Sequence, residues 1–203
     1  MDSFLSIEND SCTEQVIERS RFITHVFYVE TEEDARQKID FIRKKYADAT
    51  HNCYAYVTDY GNATRSSDDG EPSGTAGVPI LEVIRNKKII NVLVVVTRYF
   101  GGIKLGAGGL VRAYSGSCRD GLDKSVKKEF FMCKLLSVNV KYEEFNLFNS
   151  QILKDAYFVV DKCYGEDIKV VFAIKKSAYK PFIDKFSKIY YDKNIEEVGE
   201  GYY

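Results

Sequence analysis

The residues best suited to chemistry lie in one stretch, Arg98-Tyr99-Phe100-Gly101-Gly102-Ile103-Lys104-Leu105-Gly106-Ala107-Gly108-Gly109. It follows the apolar run IINVLVVV and precedes an amphipathic helical pattern, an order that reads as strand, loop and helix. Residues 83–119 carry seven basic side chains and no Asp or Glu, although the whole chain has a net charge of only -1. The expected chemistry is anion binding. Glycines let main-chain N–H groups approach a ligand, a helix start adds its positive dipole end, and cations supply full charge. Arg98, Lys104 and Arg112 can each make a charge-assisted bond of roughly 1.5 to 3 kcal/mol to a phosphate or carboxylate, with Gly101, Gly102, Gly106, Gly108 and Gly109 shaping the cradle. The stretch does not spell a P-loop, because Gly106 is followed by Ala107 and Gly108. A dinucleotide fingerprint starting at Gly106 fails at Val111.

A second polar segment, Ser67-Asp68-Asp69-Gly70-Glu71-Pro72-Ser73-Gly74-Thr75, brings three carboxylates into four residues. Its spacing does not match a calcium loop. Asp68, Asp69 and Glu71, with Ser73 and Thr75, are expected to form an acidic turn that either shares a groove with the basic loop or neutralises it. His51 and Arg65 are added as supporting groups. His51 and Cys53 fall on one face of a strand, which admits a Cys and His pair, but no third, orienting group is evident. Tyr54 and Tyr56, or Tyr99 and Phe100, offer rings on which bases could stack.

The elements that must hold these groups follow from periodicity. Cys12–Glu18 and Arg21–Glu30 read as strands, and Thr31 caps a helix carrying Ala35, Ile39, Ile42 and Tyr46. His51–Val57 is a strand, Ser66–Gly77 a loop, Ala76–Arg85 a helix with Pro79 in its first turn, and Ile89–Thr97 a central strand. Leu110, Tyr114, Cys118, Leu122 and Val126 form one apolar helical stripe, expected to be core. All nine arginines precede residue 129, and the remainder carries eleven lysines and none. Domains at 1–128 and 129–203 follow. The second reads strand (134–141), helix (143–155), strand (157–162), strand (168–175), helix (Ser177 cap to Tyr191), strand (195–198), which is a ferredoxin-like βαββαβ order.

Composition narrows the class. With fifteen tyrosines, thirteen phenylalanines and 45% hydrophobic residues, the chain reads as globular rather than disordered. Five scattered cysteines without a CxxC pair suggest neither a disulfide framework nor a zinc site, and two histidines make a His-built metal centre improbable. No apolar stretch reaches the ~20 residues of a membrane span, so a cytoplasmic protein without metal or cofactor is expected.

The strings Ser20-Arg21-Phe22, THNCYAY (residues 50–56), SDDGEPSGTAGVPIL (67–81) and VVVTRYFGGIKLGAGGLVRAY (94–114) closely resemble the IMPACT/YigZ family. The resemblance implies an α+β chain with a ribosomal-protein-like two-layer α/β N-terminal domain, including a left-handed βαβ connection. It also implies a C-terminal domain similar to the last domain of elongation factor G. Eukaryotic members share only the N-terminal domain and regulate translation through protein partners in the amino-acid-starvation response. The expectation is therefore a non-enzymatic regulator of translation that binds RNA or a ribosome-associated complex. The alternative is an enzyme acting on a phosphorylated or carboxylated small molecule between the acidic and basic loops.

Overall fold

Five consecutive aliphatic residues, Val92–Val96, can form a strand only where both faces are covered. The computed structural model, which describes residues 1–191 and 194–203, buries all five completely. The chain forms two compact units, Phe4–Glu129 and Phe130–Tyr203, the latter joined by Met1–Ser3. In the first unit β2 (Ser11–Ile17), β3 (Ser20–Tyr28), β6 (Val92–Tyr99), β4 (His51–Thr58) and β5 (Ala63–Ser67) lie side by side in that order, each pair antiparallel. β3 and β4 thus run parallel on either side of β6, linked by α1 (Glu32–Lys45).

Alternation along β4 and β6 sends residues to two separate cores. Cys53, Ala55, Val57, Val92, Val94 and Val96 meet α2 (Gly77–Asn86) and α3 (Gly106–Lys124). Tyr54, Tyr56, Leu93 and Val95 meet Ala35, Ile39 and Ile42 of α1. The α+β class holds, with the refinement that helices flank both faces of this sheet. Thr31 caps α1 as expected, and the structure completes a capping box, with Thr31 Oγ1 accepting from the Asp34 N–H at 3.1 Å and Asp34 accepting from the Thr31 N–H.

The second unit runs β7 (Lys127–Val140), α4 (Tyr142–Gln151), β8 (Phe158–Tyr164), β9 (Ile168–Lys175), α5 (Tyr179–Ile189), β10 (Ile195–Tyr202). Its strands lie in the order β10-β7-β9-β8, all antiparallel. That is the split βαβ arrangement of the ferredoxin-like order. Phe148, Phe172, Phe182, Phe186 and Tyr190 fill the core beneath its two helices.

Several elements differ from expectation. β1 (Ser3–Ile7) and β5 are strands that periodicity did not reveal, because both are short and β5 is almost wholly polar. Val126 leaves the α3 stripe: the helix stops at Lys124, Ser125 turns extended and Val126 is 57% exposed. Ser177 does not cap α5, whose start follows a short 3-10 turn at Lys176–Ala178.

His25, on the α1 face of β3, is 6% exposed and its Nε2 lies 3.0 Å from the Tyr46 hydroxyl. Burial, aided by Lys45, pushes its pKa down to about 4. The unfolded chain therefore binds more protons between pH 6.5 and 4, and stability falls as pH drops through that window. Urea titrations at pH 8 and pH 5 should differ by roughly 2 kcal/mol from this group, and His25→Phe should remove that difference.

Candidate functional site

Even-numbered residues of β6 face α2 and α3, so Arg98 arrives at the end of an apolar row as a charge that must be paired. Its side chain is only 6% exposed. Arg98 Nη1 donates to Glu71 Oε1 at 2.7 Å and Nη2 donates to Ser20 Oγ at 3.2 Å, while the guanidinium lies 5.5 Å from the Phe22 ring centre and 5.4 Å from that of Phe100. Glu71, 3% exposed, also accepts from the Tyr114 hydroxyl through Oε1 at 2.7 Å. The other carboxylate oxygen, Oε2, accepts no hydrogen bond among the described residues and lies 3.8 Å from His51 Nε2. His51 Nδ1 sits 2.9 Å from the Asp69 carbonyl oxygen, which can only accept, so Nδ1 carries a proton, and in the neutral form of the ring Nε2 is an acceptor.

The acidic turn is mostly consumed by its own support. Asp68 Oδ1 accepts from the N–H groups of Ala76 and Gly77 and Oδ2 from Gly74, at 2.8 to 3.0 Å, so a residue nine positions away caps the start of α2. Burial opposes its charge, but the three donors outweigh burial and hold the carboxyl below its ordinary pKa. Asp69 Oδ1 accepts from Arg43 Nη2 at 2.8 Å and Oδ2 from the Asn52 N–H at 2.7 Å. Thr75 Oγ1 donates to the Pro72 carbonyl at 2.6 Å, and Ser73 is exposed. Of the three carboxylates, only Glu71 reaches the basic side.

The glycine loop is partly a packing device. A Cβ on Gly101 would lie 2.0 Å from the Arg19 carbonyl oxygen, so Gly101 lets the loop pass over its own backbone rather than over a ligand. Gly106, at φ +70, turns the chain into α3, and no side chain caps that helix start. Its first-turn N–H groups remain available. The Lys104 and Arg112 side chains are exposed and, among the described residues, form no ion pair or hydrogen bond.

These groups border two hollows. One, of about 460 Å³, is lined by His51, Glu71, Pro72, Arg98, Phe100, Lys104, Leu105 and Gly106. The other, of about 510 Å³, is lined by Ile17, Glu18, Lys104, Leu105, Gly109 and Arg112. Lys104 and Leu105 divide them. Arg98 and Arg112 therefore do not converge on a single ligand position: Arg98 is neutralised at the floor of the first hollow and Arg112 borders the second. Gly102 (φ +85) and Gly108 line neither. Arg65, exposed on edge strand β5 opposite Tyr56, also lines neither.

Residues 18–122 match the Impact N-terminal domain. A Bacillus subtilis protein, IMPACT family member YvyE, is 35% identical over 201 residues, spanning 98% of this chain and 93% of its own. The chain belongs to the IMPACT family. A Haemophilus influenzae IMPACT family member is 33% identical over 183 residues, covering 86% of each chain. The zebrafish Protein IMPACT is 39% identical over 95 residues, 43% of this chain and 29% of that one, so the likeness to this eukaryotic IMPACT protein is confined to part of each. A crystal structure described as that of a hypothetical protein superposes with a TM-score of 0.66 at 26% identity, covering 98% of both chains.

Within this IMPACT-family chain, reasoning from residue types missed two members of the site. Tyr114 was placed in the apolar stripe, and it is fully buried there, yet its hydroxyl belongs to the Glu71 network. The signal was present: a tyrosine in an apolar stripe needs a partner for its hydroxyl. Ser20 carried no such signal. The Cys53 and His51 pair does not form, since Cys53 is fully buried, donates to the Asp68 carbonyl at 2.9 Å, and has its thiol pKa pushed well up by burial. Tyr54 and Tyr56 are buried beneath α1 and offer no stacking surface, whereas Phe100 is 46% exposed. Among the described residues no group of three His, Cys, Asp or Glu side chains is arranged to hold a metal ion, and no helix is long and apolar enough to cross a membrane.

Proposed function

We propose that this chain binds RNA through the start of α3 and thereby regulates translation, alone or within a ribosome-associated complex. The observation that carries this reading is the pairing of two uncompensated cations, Lys104 and Arg112, with an uncapped helix start between two open hollows. Free cations and main-chain donors suit phosphate, and Phe100 beside them supplies a ring. Arg98 is reassigned from phosphate contact to organiser of the floor. The tie to translation comes from the family resemblance, in which eukaryotic members act through protein partners. The enzymatic alternative is weaker because Asp68 and Asp69 are spent on α2, Arg43 and Asn52, and Cys53 is sealed.

The test is fluorescence anisotropy with a short single-stranded RNA over a range of salt. Affinity should fall steeply with salt, and Lys104→Ala and Arg112→Ala should each reduce the log–log slope by about 1, independent of sequence. Both side chains are exposed, so folding should be unaffected. No binding at low salt, or an unchanged slope in the double variant, would end the reading.

A further inference from the structure

The hollow beside Phe100 contains two polar atoms that take part in no hydrogen bond among the described residues. Among the described residues Glu71 Oε2 accepts no hydrogen bond although its side chain is 3% exposed, and His51 Nε2, 3.8 Å away, is an acceptor in the neutral ring, whose single proton is held on Nδ1 by the Asp69 carbonyl. Two acceptors at that separation suit one nitrogen bearing two hydrogens, which can donate to both. Around them the walls are apolar, formed by Pro72, Phe100, Leu105 and Leu110, with Lys104 and the uncapped start of α3 at the rim. The hollow's volume of about 460 Å³ falls in the usual range of small-ligand sites.

We propose that this hollow receives one base of the bound RNA and selects bases that present an exocyclic amino group, the amine bridging Glu71 Oε2 and His51 Nε2 while the ring lies against Phe100. The inference rests on the RNA-binding reading above and adds base selectivity to it. Adenine and cytosine each offer an NH2 with two donors. Uracil offers one N3–H flanked by two carbonyl oxygens, which would meet an acceptor at the second position and leave it unpaired. Lys104 and Gly106, at the start of α3, line the same hollow, so the phosphate of one nucleotide would have a cation and main-chain donors beside the acceptor floor and the aromatic wall.

The experiment compares oligo(A), oligo(C) and oligo(U) of equal length at fixed salt with the unmodified chain, then with Phe100→Ala, and adds AMP as a competitor. Oligo(A) and oligo(C) should bind on the order of tenfold more tightly than oligo(U). Phe100→Ala, an exposed position, should weaken both and leave the weak oligo(U) binding nearly unchanged. Equal affinity for all three, with the Lys104-dependent salt slope intact, overturns the base site and leaves phosphate binding standing. AMP binding as tightly as the oligomer overturns the assignment to RNA and makes the ligand a free nucleotide. Glu71→Gln, which exchanges an acceptor for an amide, should narrow the gap between oligo(A) and oligo(U). Because that change also touches Arg98, the comparison in the unmodified chain remains decisive.

Discussion

Replacing Arg98 with methionine is expected to destabilise the first unit by about 3 to 5 kcal/mol, because it strands the Glu71 carboxylate with Tyr114 as its one strong donor. For a chain of this size that corresponds to a fall of roughly 10 °C in the melting temperature. The change is chosen to conserve volume, so the loss reports charge rather than a cavity. The informative comparison is the double variant Arg98→Met with Glu71→Leu. Removing both charges replaces a buried ion pair with apolar contacts, and the double variant should recover much of the loss. Denaturant unfolding of the two singles and the double gives the coupling directly. Additive losses would mean that the pair does not act as a unit, and the floor of the hollow would then need another explanation.

Asp68→Ala should cost about 2 to 3 kcal/mol, the second largest effect, although Asp68 lies in a polar turn where substitutions are usually mild. Three main-chain donors at the start of α2, from Gly74, Ala76 and Gly77, lose their acceptor together. The helix supplies no side-chain cap of its own, since its first flanking residue is Ala76. Asp68→Asn keeps one accepting oxygen and should lose less. The pH dependence has a definite sign: the folded carboxyl is held below the ordinary 3.8, so its contribution is present above that pH and disappears as pH falls through the folded value. The gap between the unmodified chain and Asp68→Ala should therefore shrink in strong acid. Hydrogen exchange should show the loss first in the amides of α2, before the central strand β6 opens. A uniform loss across the unit would argue that Asp68 acts on the whole sheet rather than on one helix end.

These two residues mark where local reading stops. The central strand, the N-cap at Thr31, the α3 stripe from Leu110 to Leu122 and the elements of the βαββαβ order of the second unit were legible because each depends on residues close together along the chain. β5 was not, because a polar edge strand is held by its ladder to β4 rather than by its own pattern. The acidic turn was legible as polar, but its division of labour was not: Asp68 serves α2, Asp69 serves Arg43 and Asn52, and Glu71 alone turns to the basic strand.

From the order of residues alone follow the βαββαβ order of the second unit, the concentration of positive charge between residues 83 and 119, and the glycines that let the loop turn into α3, since periodicity, charge and backbone freedom are properties of neighbours along the chain. Which cations remain free was decided only in three dimensions. Arg98, Lys104 and Arg112 look equivalent in the string, yet burial forces Arg98 onto Glu71 from 27 residues away, while Lys104 and Arg112 stay in water where pairing is optional. A charge inside a protein must find its partner wherever the fold brings one, and that distance is not written in the local sequence.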